Sequence, residues 1–177
     1  IVLTRAINFV TDTTSSVSGS IYTIAFNGTD AGGNSATEVS VTGITYDTTA
    51  PTVTSVSTTA DNQSAVSITD NITVTFSEAM DTTYVTTSTS DTNCAGTIRV
   101  SSDNFSTCVK MSSEPVSSNS NKTFTLDPYD NLTRITTYLT RVTTGVKDTA
   151  GNAMSSQYET SSGFSTSSSS SSSVSVT

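Results

Sequence analysis

Two turns of this chain carry oxygen-bearing side chains at the same spacing. They are residues 30–34 (DAGGN) and residues 148–152 (DTAGN). Carboxylate and carboxamide oxygens are the ligands that Ca²⁺ takes in proteins, so these turns suggest a calcium site that also includes an Asp between them. Its ligands would be Asp30, Asn34, Asp47, Asp148 and Asn152. We favour a simpler interpretation, in which each Asp binds the backbone of its own turn and Gly151 supplies a positive φ.

The chain offers little that could activate a nucleophile or transfer a proton. It contains no histidine, which is the commonest general base and the usual partner of a catalytic Ser or Cys. The carboxylates of Glu78 and Asp81 could serve a glycosidase, but they follow a predicted strand and are better explained as a turn cap. We therefore predict a protein that is not an enzyme and that has no cofactor other than the calcium of the weaker hypothesis.

The charge of the chain excludes some partners. The net charge is −8 with only seven basic residues, so no cluster of Lys and Arg exists to displace counterions from nucleic acid. The chain has no run of eighteen apolar residues that would predict membrane insertion.

Three tyrosines without an evident core role could form a glycan platform, namely Tyr84, Tyr129 and Tyr158. Because there is no Trp, we prefer to place these tyrosines at sandwich edges.

Six asparagines satisfy the Asn-x-Ser/Thr pattern of N-glycosylation. Most of these matches are expected by chance, because Ser and Thr are so frequent. The candidate sites are Asn27, Asn62, Asn71, Asn104, Asn121 and Asn131.

The elements that must position these residues are strands. Ser and Thr dominate, the usual helix formers are scarce, and turn residues recur about every ten positions. The patterns predict an all-β protein with almost no helix. Predicted strands lie at residues 1–9, 21–26, 38–46, 53–56, 72–76, 97–101, 108–111, 123–126, 136–143 and between 157 and 166.

The predicted strands divide into two units. Pro51 cannot donate to a strand ladder and favours an extended Ala50, so we place the junction at residues 47–51. Residues 1–49 offer three strands, which is half a sandwich, and residues 50–166 offer enough for a complete one. Residues 167–177 form a Ser-rich tail, predicted to be a flexible linker by composition, although Val174 and Val176 alternate and could dock as a strand.

Several segments resemble the bacterial Ig-like domains that occur in tandem on surface and secreted proteins. Residues 72–81 (ITVTFSEAMD) are similar to the second-strand signature of the SbsA-type Ig-like domain, and residues 146–153 (VKDTAGNA) are similar to its last-hairpin signature. Residues 22–34 with residues 46–51 (YDTTAP) resemble the end of a neighbouring repeat and its junction. The resemblance implies an immunoglobulin-like Greek-key β-sandwich, preceded by an incomplete Ig-like unit.

An extracellular location, which the resemblance implies, also bears on the two cysteines. Cys94 and Cys108 bracket two short predicted strands. A secreted chain with an even number of cysteines favours a disulfide between them over two buried thiols. With no His and only two Cys, a zinc site is not expected.

Two functional hypotheses follow. In the first, the chain is a structural module of an extracellular bacterial fibre, surface layer or adhesin stalk. Its partners are other copies of itself or neighbouring Ig-like repeats, and it assembles head-to-tail by strand complementation. In the alternative, it is a binding module of a secreted protein that takes a glycan or a calcium-dependent partner through loops at one end of the sandwich. In some bacterial adhesins, calcium at the linkers stiffens such tandem modules, and Asp47 would lie at such a linker.

Overall fold

The computed structural model of the protein describes residues 18–57 and 59–168. Strands and one short 3₁₀ turn at Thr82–Tyr84 are its regular elements, which confirms the predicted all-β class. Contacts within the chain divide it into two compact units, Ile1–Thr49 and Ala50–Thr177. The strand predicted at residues 1–9 and the tail from residue 169 onward lie outside the described residues.

The described part of the first unit is one antiparallel hairpin. Strand β1 (Ser20–Phe26) pairs with β2 (Val39–Tyr46), and the register shifts once between Tyr22 and Ile24. Gly43 takes a φ of 80° at this irregularity, a conformation in which glycine has no Cβ penalty. The extra residue of this β-bulge keeps the apolar side chains of both strands on a common face.

One sheet of the second unit has four antiparallel strands in the order β3-β4-β7-β6. Its strands are β3 (Val53–Ser57), β4 (Ile72–Phe76), β6 (Val116–Ser118) and β7 (Thr123–Leu126).

The other sheet of this unit is built around a single long strand. Its strands are β5 (Ile98–Ser101), β8 (Thr137–Val142), β9 (Tyr158–Glu159) and β10 (Phe164–Ser165). Strand β8 pairs with β5, and also with β9 and β10. The two short strands therefore act as one interrupted partner strand. With the first sheet, this order matches the immunoglobulin arrangement, in which strands A, B, E and D face C, F and G.

The core of the second unit lies between its two sheets. Along β4, Ile72, Val74 and Phe76 are fully buried and alternate with half-buried threonines, as a strand with one covered face requires. Phe76 meets Phe124 edge-on at 5.8 Å between ring centroids, within one cluster of buried side chains drawn from both sheets. Each fully buried aliphatic or aromatic side chain contributes about 1.5–3 kcal/mol.

Several strand predictions need correction. Residues 108–111 do not form a strand, because they run as a loop in which Val109 bonds Val100 and Met111 makes an isolated bridge to Pro128. Strand β6 was not predicted. The last predicted strand is interrupted after Glu159, and the Ser-rich run starts inside the fold, since Ser165 belongs to β10 and the Ser167 N–H donates to the Val66 carbonyl at 2.8 Å.

Candidate functional site

The two predicted oxygen-rich turns share one hydrogen-bond geometry. Oδ1 of Asp30 accepts from the backbone N–H groups two and four positions later, both at 2.9 Å, and Oδ2 accepts from the Asn34 amide at 3.0 Å. Asp148 repeats this arrangement at 2.8 Å for all three bonds, with Asn152 as the amide donor. An isolated bridge flanks each turn in the same position. The repeated motif is therefore a repeated structure.

These bonds occupy the oxygens that a cation would need. The Asn34 amide, as the largest influence, lowers the pKa of Asp30, so the charged carboxylate is held by its own turn. Asp47 accepts from the Ser18 hydroxyl and the Thr49 N–H, both at 2.9 Å. A calcium site at the five predicted residues stays a prediction, and the ion would have to compete with these bonds for the carboxylate oxygens. The cap predicted at Asp81 is confirmed, since its carboxylate accepts from the Thr83 N–H.

One face of the β1–β2 hairpin is apolar and largely open. Residues that pair directly across two antiparallel strands lie on the same face, and three such apolar pairs occur here. The pairs are Tyr22 with Ile44, Ile24 with Val41, and Phe26 with Val39. Phe26, Val39 and Val41 are 57%, 63% and 53% exposed. We call these six side chains the hairpin face. Within the hairpin, the opposite face carries one large apolar side chain, Ile21.

The second unit shows what the corresponding positions do in a complete sandwich. Ile24 lies six residues before Asp30, as Val142 lies six residues before Asp148. Val142 is fully buried in β8. The position that Ile24 holds on the hairpin face is thus a core position in the second unit, where Val142 is buried in one cluster with side chains of the other sheet.

The structure joins Cys94 to Cys108 by a disulfide, with 5.0 Å between the Cα atoms. The bond links the loop before β5 to the loop after it. Cys108 is buried, so the crosslink fastens this loop pair to the body of the second unit.

The three tyrosines proposed as a glycan platform lie in different settings. Tyr158 is half-buried in β9. Tyr84 is 40% exposed, with the Lys147 ammonium 4.5 Å from its ring centroid, and Tyr129 is 60% exposed, with the Lys110 ammonium at 4.1 Å. Lys110 also lines a groove of about 180 Å³ together with Asp130 and Asn131. Tyr129 itself lines neither this groove nor the smaller pocket that shares Asp130 and Asn131 with it.

The six sequon asparagines all have exposed positions. This includes Asn71, which directly precedes the buried strand β4. Asn62, Asn104 and Asn121 have positive φ angles, which asparagine tolerates better than most residues. Glycosylation at these positions stays a prediction.

Sequence reasoning missed a carboxylate that closes the second unit. Asp61 accepts from the Ser161 hydroxyl and from the backbone N–H groups of Ser162 and Gly163, at 2.6–2.7 Å. Next to this contact, Val66 forms a parallel bridge with Thr166. About one hundred residues of chain separate Asp61 from these partners, so no local sequence pattern could have revealed the contact.

Among residues 18–57 and 59–168, no helix is long and apolar enough to cross a membrane.

Comparisons with known proteins bear on the second unit. Residues 47–166 match the family model described as a bacterial Ig-like domain. The chain is similar to the solved N-terminal part of the bacterial S-layer protein SbsC, with 24% identity and a TM-score of 0.45, over 67% of this chain and 24% of that one. It is also similar to the S-layer protein rSbsC(31-844), with 25% identity and a TM-score of 0.45, over 67% of this chain and 14% of that one.

The chain spans only 24% and 14% of the lengths of these two S-layer chains. None of the curated proteins matches it. Since the family model covers 47–166, which is well over half of the 177 residues, the chain belongs to the bacterial Ig-like domain family.

Proposed function

We propose that this protein is a structural module of an extracellular bacterial fibre, surface layer or adhesin stalk, and that its first unit is completed by an adjacent copy in head-to-tail assembly. The observation that carries this proposal is the hairpin face. Three of its side chains are more than half exposed, and Ile24 is only half-buried, whereas its counterpart Val142 in the second unit is fully buried. An apolar sheet face of this kind is stable in water when another sheet or strand covers it.

The charge distribution favours a second copy as the partner. None of the six side chains of the hairpin face is charged, although the chain as a whole carries a net charge of −8. Two copies repel each other over most of their surfaces, and an uncharged apolar face is where they can approach. Because the donor and acceptor surfaces differ, each added copy exposes a new acceptor, and the contact propagates instead of closing.

The donor segment of this proposal is residues 169–177 of the adjacent copy. Val174 and Val176 alternate there, so an extended segment would present both valines on one side. The deletion that tests this donor must begin at residue 169, because Ser165 lies in β10 and Ser167 bonds Val66. A larger deletion would damage the second unit itself.

The experiment is sedimentation and electron microscopy of the full chain beside the chain that lacks residues 169–177. We expect the full chain to form concentration-dependent linear assemblies with a regular axial repeat, and the shortened chain to stay monomeric with an unchanged far-UV CD spectrum. Assemblies of equal length from both proteins would exclude the tail as donor. A full chain that stays monomeric at every concentration would overturn the assembly role.

A further inference from the structure

We propose that Asn27 is a site of spontaneous covalent modification, at which the backbone nitrogen of Gly28 attacks the side chain and converts the asparagine to aspartate or isoaspartate. Asparagine is a thermolabile residue, and the residue that follows it decides how easily a backbone nitrogen reaches the side-chain carbonyl carbon. Glycine hinders this approach least, because it has no Cβ. Gly28 is the only one of the nine glycines of the chain that follows an asparagine.

The reaction consumes only water and releases ammonia. The Gly28 nitrogen forms a bond to Cγ of Asn27 and gives up its proton, while the bond from Cγ to Nδ2 breaks and the departing amide nitrogen takes a proton to become ammonia. The chain then holds a succinimide ring. Water opens this ring at either of its two carbonyls, which leaves aspartate or isoaspartate at position 27.

The fold leaves both reacting groups unbonded. Asn27 directly follows the last residue of β1, and both Asn27 and Gly28 are exposed. Among the described residues, the Gly28 N–H has no acceptor and the Asn27 side chain has no hydrogen-bond partner. An N–H group within a strand ladder would have to break its bond before it could attack. Here the ladder holds only the carbonyl of Gly28, which accepts from the Ala36 N–H at 2.8 Å.

Space and water are also available at this pair. A Cβ on Gly28 would meet nothing within 4 Å, so the surroundings of the glycine are open. Asn27 and Gly28 line a surface depression of about 350 Å³ between the two arms of the loop that joins β1 to β2. This depression has room for roughly ten water molecules, and water is what the ring-opening step consumes.

Asn34 lies in the same loop and is held against this reaction. Its side-chain amide donates to Oδ2 of Asp30 at 3.0 Å, and its backbone N–H donates to Oδ1 at 2.9 Å. The residue that follows it is Ser35, whose Cβ hinders the attacking nitrogen in a way that glycine does not. Asn27 and Asn34 thus share one loop but differ in both requirements, so Asn34 serves as an internal reference.

The test is peptide mapping by mass spectrometry of the full chain, kept folded in a mildly alkaline buffer and sampled over several weeks. We expect Asn27 to lose its amide at least tenfold faster than Asn34, with isoaspartate among the products, detected by enzymatic methylation of its α-carboxylate. The matched variant is Gly28→Ala, which should slow the reaction at Asn27 at least tenfold. Gly28 has no left-handed φ and an added Cβ meets no neighbour, so this variant should keep the far-UV CD spectrum of the unchanged protein.

The proposal is overturned if Asn27 and Asn34 react at equal rates in the folded chain, or if Gly28→Ala leaves the rate at Asn27 unchanged. Aspartate without isoaspartate would also overturn it, because the amide would then be hydrolysed directly by water. A parallel sample in urea gives the rate of the unfolded chain, and conversion of Asn27 in urea alone would show that the fold protects this residue. Each outcome is read from the covalent state of the chain and does not depend on head-to-tail assembly, since Asn27 and Gly28 lie outside the hairpin face.

Discussion

The carboxylate of Asp61 accepts a hydrogen bond from the backbone N–H of Gly163 at 2.6 Å, although 102 positions separate the two residues in the chain. The same carboxylate binds the Ser161 hydroxyl and the Ser162 N–H. These bonds tie the loop after β3 to the turn that leads into β10. They close the second unit, because the first and last parts of its chain meet there.

Replacing Asp61 should weaken this closure. We expect Asp61→Ala to lower the free energy of unfolding by about 2 kcal/mol, since hydrogen bonds to a charged group are lost and water replaces them only in part. Chemical denaturation followed by near-UV CD measures the change. Asp61→Asn keeps the shape and one acceptor oxygen, so it should cost less than Asp61→Ala. Equal stability of Asp61→Ala and the unchanged protein would contradict a closing role for this side chain.

Acid should destabilise the fold through carboxylates of this kind. Hydrogen bonds from the Thr107 hydroxyl, and then from the Thr107 N–H and the Ser101 hydroxyl, lower the pKa of Asp103 from 3.8 to about 2. The Ser161 hydroxyl is the main cause of the lowered pKa of Asp61. A folded-state pKa below the unfolded value means that the folded state binds fewer protons than the unfolded state. The stabilisation from these ionised carboxylates is therefore complete above about pH 4 and is lost as the pH falls towards 2.

The measurement is the free energy of unfolding between pH 5 and pH 2. The curve should fall steadily over this range, and Asp103→Asn should flatten it, because the substituted side chain no longer titrates. The control is Glu38→Gln, which removes a carboxylate for which no hydrogen bond is found among the described residues and should leave the slope unchanged. A slope that Asp103→Asn does not alter would contradict this assignment.

The disulfide between Cys94 and Cys108 should stabilise the second unit. The two residues are 14 positions apart, and a crosslink over a loop of this length contributes about 3 kcal/mol by restricting the unfolded chain. We expect the double variant Cys94→Ser with Cys108→Ser to show a correspondingly lower denaturation midpoint. A reducing agent should lower the midpoint of the unchanged protein and leave that of the double variant alone. Equal midpoints of the unchanged protein and the double variant would contradict a stabilising crosslink.

Gly163 should tolerate substitution worse than Gly151. Both have positive φ angles, 71° and 93°, but a Cβ on Gly163 would overlap the Tyr138 carbonyl oxygen, whereas a Cβ on Gly151 would meet nothing within 4 Å. We expect Gly163→Ala to cost more than about 2 kcal/mol, because backbone strain and the overlap add. Gly151→Ala should cost only about 1 kcal/mol of left-handed strain. Equal melting temperatures of the two variants would contradict the close approach at Gly163.

The sequence predicted those parts of the fold that have a local pattern. Strand β4 was found because Ile72, Val74 and Phe76 alternate with threonines, and this alternation is a direct result of one covered face. Strand β6 was missed because it is short and its Val116 is exposed, so no such alternation exists. Residues 108–111 look like a strand, but their backbone bonds go to Val100 and to the loop at Pro128.

The candidate sites were predictable to a different degree. The repeated turns at Asp30 and Asp148 are visible in the sequence because all their bonds are local. The position of the loop at residues 129–132 is not visible, since its backbone N–H groups bond the carbonyls of Lys110 and Ile68, which lie far from it in the chain. Contacts of this kind depend on how the two sheets meet, and a single sequence carries no local signal for them.

The most direct test of the assembly role is sedimentation velocity of two matched variants, Val39→Asp and Val116→Asp. The two valines are almost equally exposed, at 63% and 64%, but only Val39 belongs to the hairpin face, while Val116 lies on the edge strand β6. The proposed docking predicts that Val39→Asp sediments as a monomer where the unchanged protein and Val116→Asp form assemblies. Assemblies of Val39→Asp equal to those of Val116→Asp would contradict it.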